Sequence, residues 1–379
     1  MKAQRHPKIH ITTRIQVAVL TVVFFCTSTF GPAYACTGIK IKCQDGAVIF
    51  ARTAEFGVDL DIKAIGIPAG TKHVGSAPEN KSGLAWTSKY AVIGANTAGM
   101  PFITVGGLNE KGLHVGAFNL AEFAVYQDVT PADYDKTLNC FELPNYLLTT
   151  TATVDEAIAA LRKVKIADMG IKEFDDAHFQ LHYRLADQSG RAVAIEYMEG
   201  ELHVIENPLG AFTNSPNFTW HLTNLTNYTN LSPYGWPAVE LENLTLKPSS
   251  LGSGMNGLPG DFTSPSRFVR AVAFQETAAP SAKADDGVKT AFHILNLFDI
   301  PKGASVQRAG GVDYPDITQV TTANDLTNLR FFFRTYENSQ IRMITMADFL
   351  AGNHSEPVQF ARTGEEKFKN IADTAKPLK

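Results

Sequence analysis

Two blocks of period-two alternation enclose a middle that carries helical signals, and that ordering constrains the fold more than any other feature of the chain. Residues 38–52 (GIKIKCQDGAVIFAR) read as a hairpin turning at Gln44-Asp45-Gly46. Residues 87–121 read as three further strands, with a turn at Glu110-Lys111-Gly112. Thr153-Val154-Asp155-Glu156 is a capping box, so a helix starts there. Residues 177–206 alternate again around Gln188-Ser189-Gly190 and predict one long hairpin. Ser264 followed by Pro265 predicts an N-cap with proline at the first helical position, and a second helix is expected from Asp286 to Leu297. Residues 316–347 return to strands. With no internal repeat and no Pro/Gly linker, the pattern predicts one α+β domain of sheets covered by helices over residues 36–353, followed by a loosely packed polar tail over 354–379.

Composition fits such a domain. Hydrophobic residues make up 44% and charged residues 19%, enough apolar side chain for a core. A formal charge of −4 without a long basic run argues against a nucleic-acid binder. Four cysteines are too few to staple a scaffold of 379 residues, so burial must hold the fold.

Residues 1–35 read as a signal peptide. Lys2, Arg5, Lys8 and Arg14 precede an apolar run from Ile15 to Cys26, and Ala33-Tyr34-Ala35 forms an A-x-A cleavage site. The run is about half of the roughly 20 residues a spanning helix needs, and no later stretch is long and apolar enough. The expected product is exported, periplasmic or secreted, with no membrane association after processing. Cleavage would leave Cys36 first and a net charge of −8. Three readings of Cys36 follow: a lipoprotein anchor, which Tyr34 fits poorly, a buried structural thiol, or an N-terminal nucleophile. In the third, the α-amine, with an ordinary pKa of about 7.7–8.0, takes the thiol proton, and no histidine is needed.

Other chemistry has less support. His178 and His182 share a face of a predicted strand with Gln180 and Arg184; a polar sheet face explains them better than a metal pair. There is no H-E-x-x-H, C-x-x-C, G-x-S-x-G or Walker loop, so neither a metal nor a cofactor is expected. Cys43 and Cys140 are left open between a disulfide and two core thiols. Asn217, Asn224, Asn227, Asn230 and Asn243 begin N-x-S/T sequons in a segment rich in Asn and Thr, and read as incidental in a bacterial chain.

Six pieces then stand in a recognisable order: Cys36-Thr37-Gly38, Ala51-Arg52-Thr53-Ala54-Glu55, residues 107–113 (GLNEKGL), residues 213–225 (TNSPNFTWHLTNL), residues 258–270 (LPGDFTSPSRFVR) and residues 330–338 (RFFFRTYEN). Together they resemble the choloylglycine hydrolase family, the penicillin V acylases and bile salt hydrolases, over about residues 36–348. The resemblance implies a four-layer αββα sandwich of the Ntn-hydrolase type and hydrolysis of a linear amide through an acyl-thioester. It implies Cys36 as nucleophile, Arg52 and Arg267 as active-site arginines, and the Asn214 side-chain amide as a donor to the oxyanion. Asn119 is the expected second donor through its backbone N–H, with Leu120 as the competing choice. Glu55 stands where many members carry Asp, and is expected to hydrogen-bond the Cys36 amine. Phe56, Phe118, Phe123 and Tyr126 are expected to line an apolar acyl pocket.

The partner implied is a small-molecule N-acyl amide: penicillin V or an N-acyl homoserine lactone, with bile salt or lipid-amide hydrolysis as alternatives. The rival class is a non-enzymatic exported binding protein or a lipoprotein anchored at Cys36. The family resemblance implies a homo-oligomer, a homotetramer. The short connection from Glu206 to Asn214 suggests that the hairpin supporting tetramers in Gram-positive members is absent, which leans towards the exported Gram-negative type.

Overall fold

The computed structural model describes residues 34–102, 105–171, 177–361 and 364–374. The first two strands, Tyr34–Lys42 and Val48–Phe56, pair antiparallel from Tyr34 opposite Phe56 to Lys42 opposite Val48. Gly46 closes their turn with φ of 88°, a conformation that a Cβ would strain. The second strand is buried at every position because it lies inside a sheet. Its other neighbour comes from the far end of the chain. The sheet runs Tyr34–Lys42, Val48–Phe56, Thr318–Asp325, Arg330–Thr335, Asn338–Thr345.

A second sheet has eight antiparallel strands. In spatial order they are Glu201–Glu206, Ala192–Met198, Leu181–Ala186, His114–Asn119, Gly106–Asn109, Val92–Asn96, Lys63–Ile67 and Val358–Gln359. Six α-helices accompany the sheets among the described residues: α1 Leu143–Thr150, α2 Val154–Leu161, α3 Phe218–Leu225, α4 Ser264–Thr277, α5 Ala284–Leu295 and α6 Met346–Ala351. Helices α4 and α5 cover the five-stranded sheet, α1 covers the eight-stranded one, and the first strand packs against His114–Asn119 across the middle. The result is the four-layer αββα sandwich that the family resemblance implies. Its core includes Ile39, Ile49, Phe50, Val115 and Ile195, all fully buried.

The interface between the sheets is not purely apolar. Arg52 reaches from the five-stranded sheet to the carbonyls of Val105 (2.8 Å) and Ala117. Arg184 reaches back to the carbonyls of Gly210 (2.9 Å), Ile39 (3.2 Å) and Ala51 (3.3 Å). Both guanidiniums face the Phe118 ring, at 4.0 and 5.7 Å. A Cβ at Gly38 would collide with Arg184 Nη1, so glycine is required there.

Four expectations change. The segment 177–206 is a three-strand meander, because Glu199 (φ 54°) and Gly200 (φ 80°) make a second tight turn that occupies only two residues and leaves the alternation intact. His182 and Arg184 line the inside of the sandwich rather than a solvated face, and the strand is buried on both sides. Part of the expected tail docks: Val358 and Gln359 pair with Gly66 and Ile65, and Phe360 donates its N–H to Ala64 (2.9 Å). An otherwise bare sheet edge needs such partners, and a mostly polar segment hides two apolar anchors. The N-cap of α4 is Thr263, not Ser264. The expected signal peptide lies outside the described residues save for its last two.

The stretch between α3 and α4 carries a short hairpin, Val239–Leu241 paired with Leu244–Leu246. It is exposed throughout, and Tyr234, Trp236, Val239, Leu241, Leu244, Leu246 and Leu251 all face outwards. A projecting hairpin is therefore present, but after the Asn214 motif rather than before it.

Candidate active site

Cys36 is the third residue of the first strand and is 4% exposed. The peptide bond to Ala35 is intact here, so the Cys36 nitrogen carries a single hydrogen. It donates that hydrogen to Asn214 Oδ1 (2.6 Å). The Cys36 carbonyl accepts from Arg267 Nη1, and Sγ accepts from Arg52 Nη2 at 2.8 Å. Antiparallel register puts Ala54 opposite Cys36 and Arg52 opposite Gly38, so the Arg52 side chain slants along two residue pairs, the next position on the same face, to reach the sulfur.

Arg267 stands in the first turn of α4. Its Nη1 also meets Thr37 Oγ1 (2.9 Å), Nη2 meets Asn214 Oδ1 (2.8 Å), and Nε is fixed on the Phe262 carbonyl (2.9 Å). Two donors on Oδ1 and the Asn119 carbonyl on Nδ2 (3.0 Å) leave the Asn214 amide one orientation. Its second Nδ2 hydrogen remains. The Asn214 N–H goes to Ser264 Oγ (2.9 Å), which is why that hydroxyl does not cap the helix.

The two proposed backbone donors differ. Leu120 commits its N–H to the Gln180 carbonyl (2.6 Å). Asn119 sits on the other phase of the ladder. Ala117 N–H points to Val105, and two residues on, Asn119 points its N–H and C=O the same way, off the Leu181–Ala186 strand and towards Asn214. Of the two, Leu120 is thus committed, and the Asn119 N–H is the one turned towards Asn214.

Burial raises the Cys36 thiol pKa, Arg52 and Arg267 oppose that shift, and Glu55 adds to it. Burial likewise lifts Glu55 to about 8, against the pull of Arg267. Glu55 Oε1 accepts from Thr318 Oγ1 (3.1 Å), and Oε2 is buried with no partner. The expected bond from Glu55 to the Cys36 nitrogen is not formed, because the one amide hydrogen is already on Asn214. Asp316, lifted to about 6 by burial, also feels Arg267.

The expected pocket aromatics separate. Phe118 is buried beneath Arg52, and Phe56 is buried in its strand, so both belong to the core. Tyr126 is half-buried, and its hydroxyl accepts from Leu181 N–H (2.7 Å), a structural bond. Phe123 alone of the four is exposed. A cleft of about 870 Å³ lies elsewhere, with Met100, Phe102, Phe141, Met169 and Ile171 among its lining. The loop bearing Met100 and Phe102 leads to Val105, whose carbonyl holds Arg52.

His178 is exposed beside Asp168 (3.2 Å), whereas His182 is buried against Glu196 (2.9 Å), so the two rings do not share a site. Among the described residues no cluster of His, Cys, Asp and Glu is arranged to hold a metal ion. Cys43 and Cys140 are separate buried thiols. Residue reading missed Arg184, Glu196, His221 and the Ser264 hydroxyl as neighbours of the site. His221 and Ser264 lie inside the quoted 213–225 and 258–270 pieces and so carried a signal, whereas Arg184 and Glu196 lie in none of them.

The linear amide C–N hydrolases of the choloylglycine hydrolase family match this chain over residues 36–359. A bile salt hydrolase/transferase of Clostridium perfringens is 32% identical over 333 residues, covering 86% of this chain and 98% of that protein. A penicillin V acylase of Pectobacterium atrosepticum is 30% identical over 311 residues, covering 76% of this chain and 74% of its own. A crystal structure of a variant of conjugated bile acid hydrolase from Clostridium perfringens superposes with a TM-score of 0.77 at 27% identity, over 89% of this chain and all of that one.

Proposed function

The chain belongs to the choloylglycine hydrolase family of linear amide hydrolases, and from that premise we propose that it is an exported, penicillin V acylase-like enzyme whose nucleophile is an N-terminal Cys36. The observation that carries this reading is the triple hold on one residue: sulfur on Arg52 (2.8 Å), nitrogen on Asn214 (2.6 Å), carbonyl on Arg267. A buried structural thiol has no need of two guanidiniums.

Cleavage after Ala35 would free the Cys36 amine. That amine takes the thiol proton, and the thiolate attacks the amide carbon. Arg52 supports the sulfur charge, since guanidinium keeps its proton at working pH. The oxyanion receives the remaining Asn214 Nδ2 hydrogen and the Asn119 N–H; each such donor is worth about 3 kcal/mol of barrier. The Cys36 ammonium then gives its proton to the leaving nitrogen as the C–N bond breaks. Water, deprotonated by the same amine, hydrolyses the thioester and releases the acid. Glu55, with Oε2 unpartnered, is the carboxylate that gains the ammonium once the upstream strand has gone.

The substrate would be a small N-acyl amide such as penicillin V or an N-acyl homoserine lactone. Conjugated bile acids are the second reading, favoured by the relative from Clostridium perfringens. The outward apolar hairpin at Val239–Leu246 suits a homo-oligomer such as a tetramer. The deciding experiment combines intact mass of the purified protein with a panel of acyl amides tested on wild type, Cys36→Ala and Cys36→Ser. A first residue other than Cys36, or turnover by Cys36→Ala, removes the reading. A diacylglycerol mass increment would favour the lipoprotein instead.

A further inference from the structure

Behind Asn214 lies a buried polar group that the chemistry above does not use. His182 is 1% exposed and Glu196 is fully buried. His182 Nδ1 meets Glu196 Oε1 at 2.9 Å, and Nε2 meets the Thr213 carbonyl at 3.0 Å. Nε2 donates to the Thr213 carbonyl, and Nδ1 shares a hydrogen bond with the Glu196 carboxyl group. The same Glu196 oxygen takes the Phe218 N–H at 2.9 Å, at the first turn of α3. His221, one turn along that helix, donates Nε2 to the Asn214 carbonyl at 2.8 Å. The His182 ring rests on Phe212 (4.3 Å) and the His221 ring on Phe268 (4.8 Å), beside Arg267.

The carbonyls on either side of the Asn214 nitrogen and α-carbon are thus each held by a buried histidine, and the Asn214 N–H is held by Ser264 (2.9 Å). A sheet interior does not need a buried polar pair for stability; similar-sized apolar residues often serve as well or better. What the pair supplies is a fixed position. It grips the segment 213–218 at two points from the rigid strands Leu181–Ala186 and Ala192–Met198.

We propose that His182 and Glu196 are positioning residues that set the main-chain height of Asn214, so that its side-chain amide meets the oxyanion. This rests on the reading of Asn214 as an oxyanion donor. A shift of about 1 Å in such a group can cost about 100-fold in rate.

The test compares wild type, His182→Phe, Glu196→Gln and the double variant His182→Phe/Glu196→Leu, which removes the polar pair together and avoids leaving one buried partner alone. Two readouts are taken: hydrogen exchange of the backbone amides over 213–219, and kcat with KM on whichever acyl amide the wild type turns over. Expected for the single and double variants alike is exchange at least about tenfold faster over 213–219, against unchanged protection in the two strands. For His182→Phe and the double variant, kcat falls about 10- to 100-fold with KM within about threefold. Iodoacetamide labelling of Cys36 stays within about twofold of wild type, as it needs the sulfur but no oxyanion donor. Unchanged exchange overturns the proposal, as does unchanged kcat or a matching loss of Cys36 labelling. A processed wild type that turns over no amide would instead sink the reading of the site, while exchange still decides the positioning.

Discussion

The space between the two sheets and the hairpin beyond α3 invert the usual distribution of side chains. Between the sheets sit Arg52, Arg184, His182, Glu196 and Asn214, all nearly or fully buried. On the hairpin, Val239, Leu241, Leu244 and Leu246 face outwards. The contrast separates two uses of burial. Inside, charged groups are costly to desolvate, and each of these side chains is held by backbone or side-chain partners, although Arg184 Nε and Glu196 Oε2 find none. Outside, the apolar residues pair across the hairpin, Val239 with Leu246 and Leu241 with Leu244, yet stay about half exposed, so further burial is available to a second molecule.

The largest effect that would break the contrast is at Cys36. Cys36→Ala should lower turnover by about 10⁴-fold or more, measured against any acyl amide the wild type cleaves. Arg52→Leu comes next: kcat should fall about 100- to 1,000-fold, because the guanidinium touches the sulfur and the Val105 and Ala117 carbonyls together. Arg184→Leu sharpens the comparison within the interior. That side chain is as buried as Arg52 but touches no reacting atom, and its pKa falls to about 9, first through burial and then through Arg52. Denaturant titration should show a loss of about 3 kcal/mol as three carbonyls lose their donor, with kcat within about fivefold.

A smaller effect is expected from pH. In the uncut chain, folding raises Glu55 from 4.5 to about 8, so the folded form holds a proton that the unfolded form releases. Its contribution to stability is full below 4.5, declines as pH rises through that window, and is gone above about 8. Glu55→Gln should flatten the fall in thermal midpoint between pH 5 and pH 8, roughly the span of that shift; an unchanged slope would remove Glu55 as its source. The smallest effect should come from Leu241→Lys with Leu246→Lys. Stability should change by no more than about 0.5 kcal/mol per site and kcat not at all, whereas light scattering should report a smaller assembly.

The strands within 38–52, 87–121, 177–206 and 316–347, the capped helix at Thr153 and the convergence of Cys36, Arg52, Asn214 and Arg267 were legible because each is a local pattern or a quoted motif, whereas the strands Lys63–Ile67, Lys72–Ala77 and Lys81–Thr87 were not read. His182 and Arg184 were not. Alternation tells which residues share a face, but not whether that face looks at water or at another sheet, and polar side chains bias the guess outwards. The contribution of Ser264 was hidden for a related reason. Its hydroxyl fits a local cap, and only the tertiary approach of Asn214 diverts it. The docking of Val358 and Phe360 depended on a vacant sheet edge that no local pattern announces.

The hold on Cys36 at both its nitrogen and its carbonyl has a geometric outcome. With its main chain clamped, the sulfur can travel only along an arc about the Cα–Cβ bond. With Cys36 as the proposed nucleophile, an acyl chain of any shape would have to deliver its carbonyl carbon to that arc, and selectivity would follow how deep the chain seats before the carbonyl arrives, so that the site works as a ruler rather than a mould.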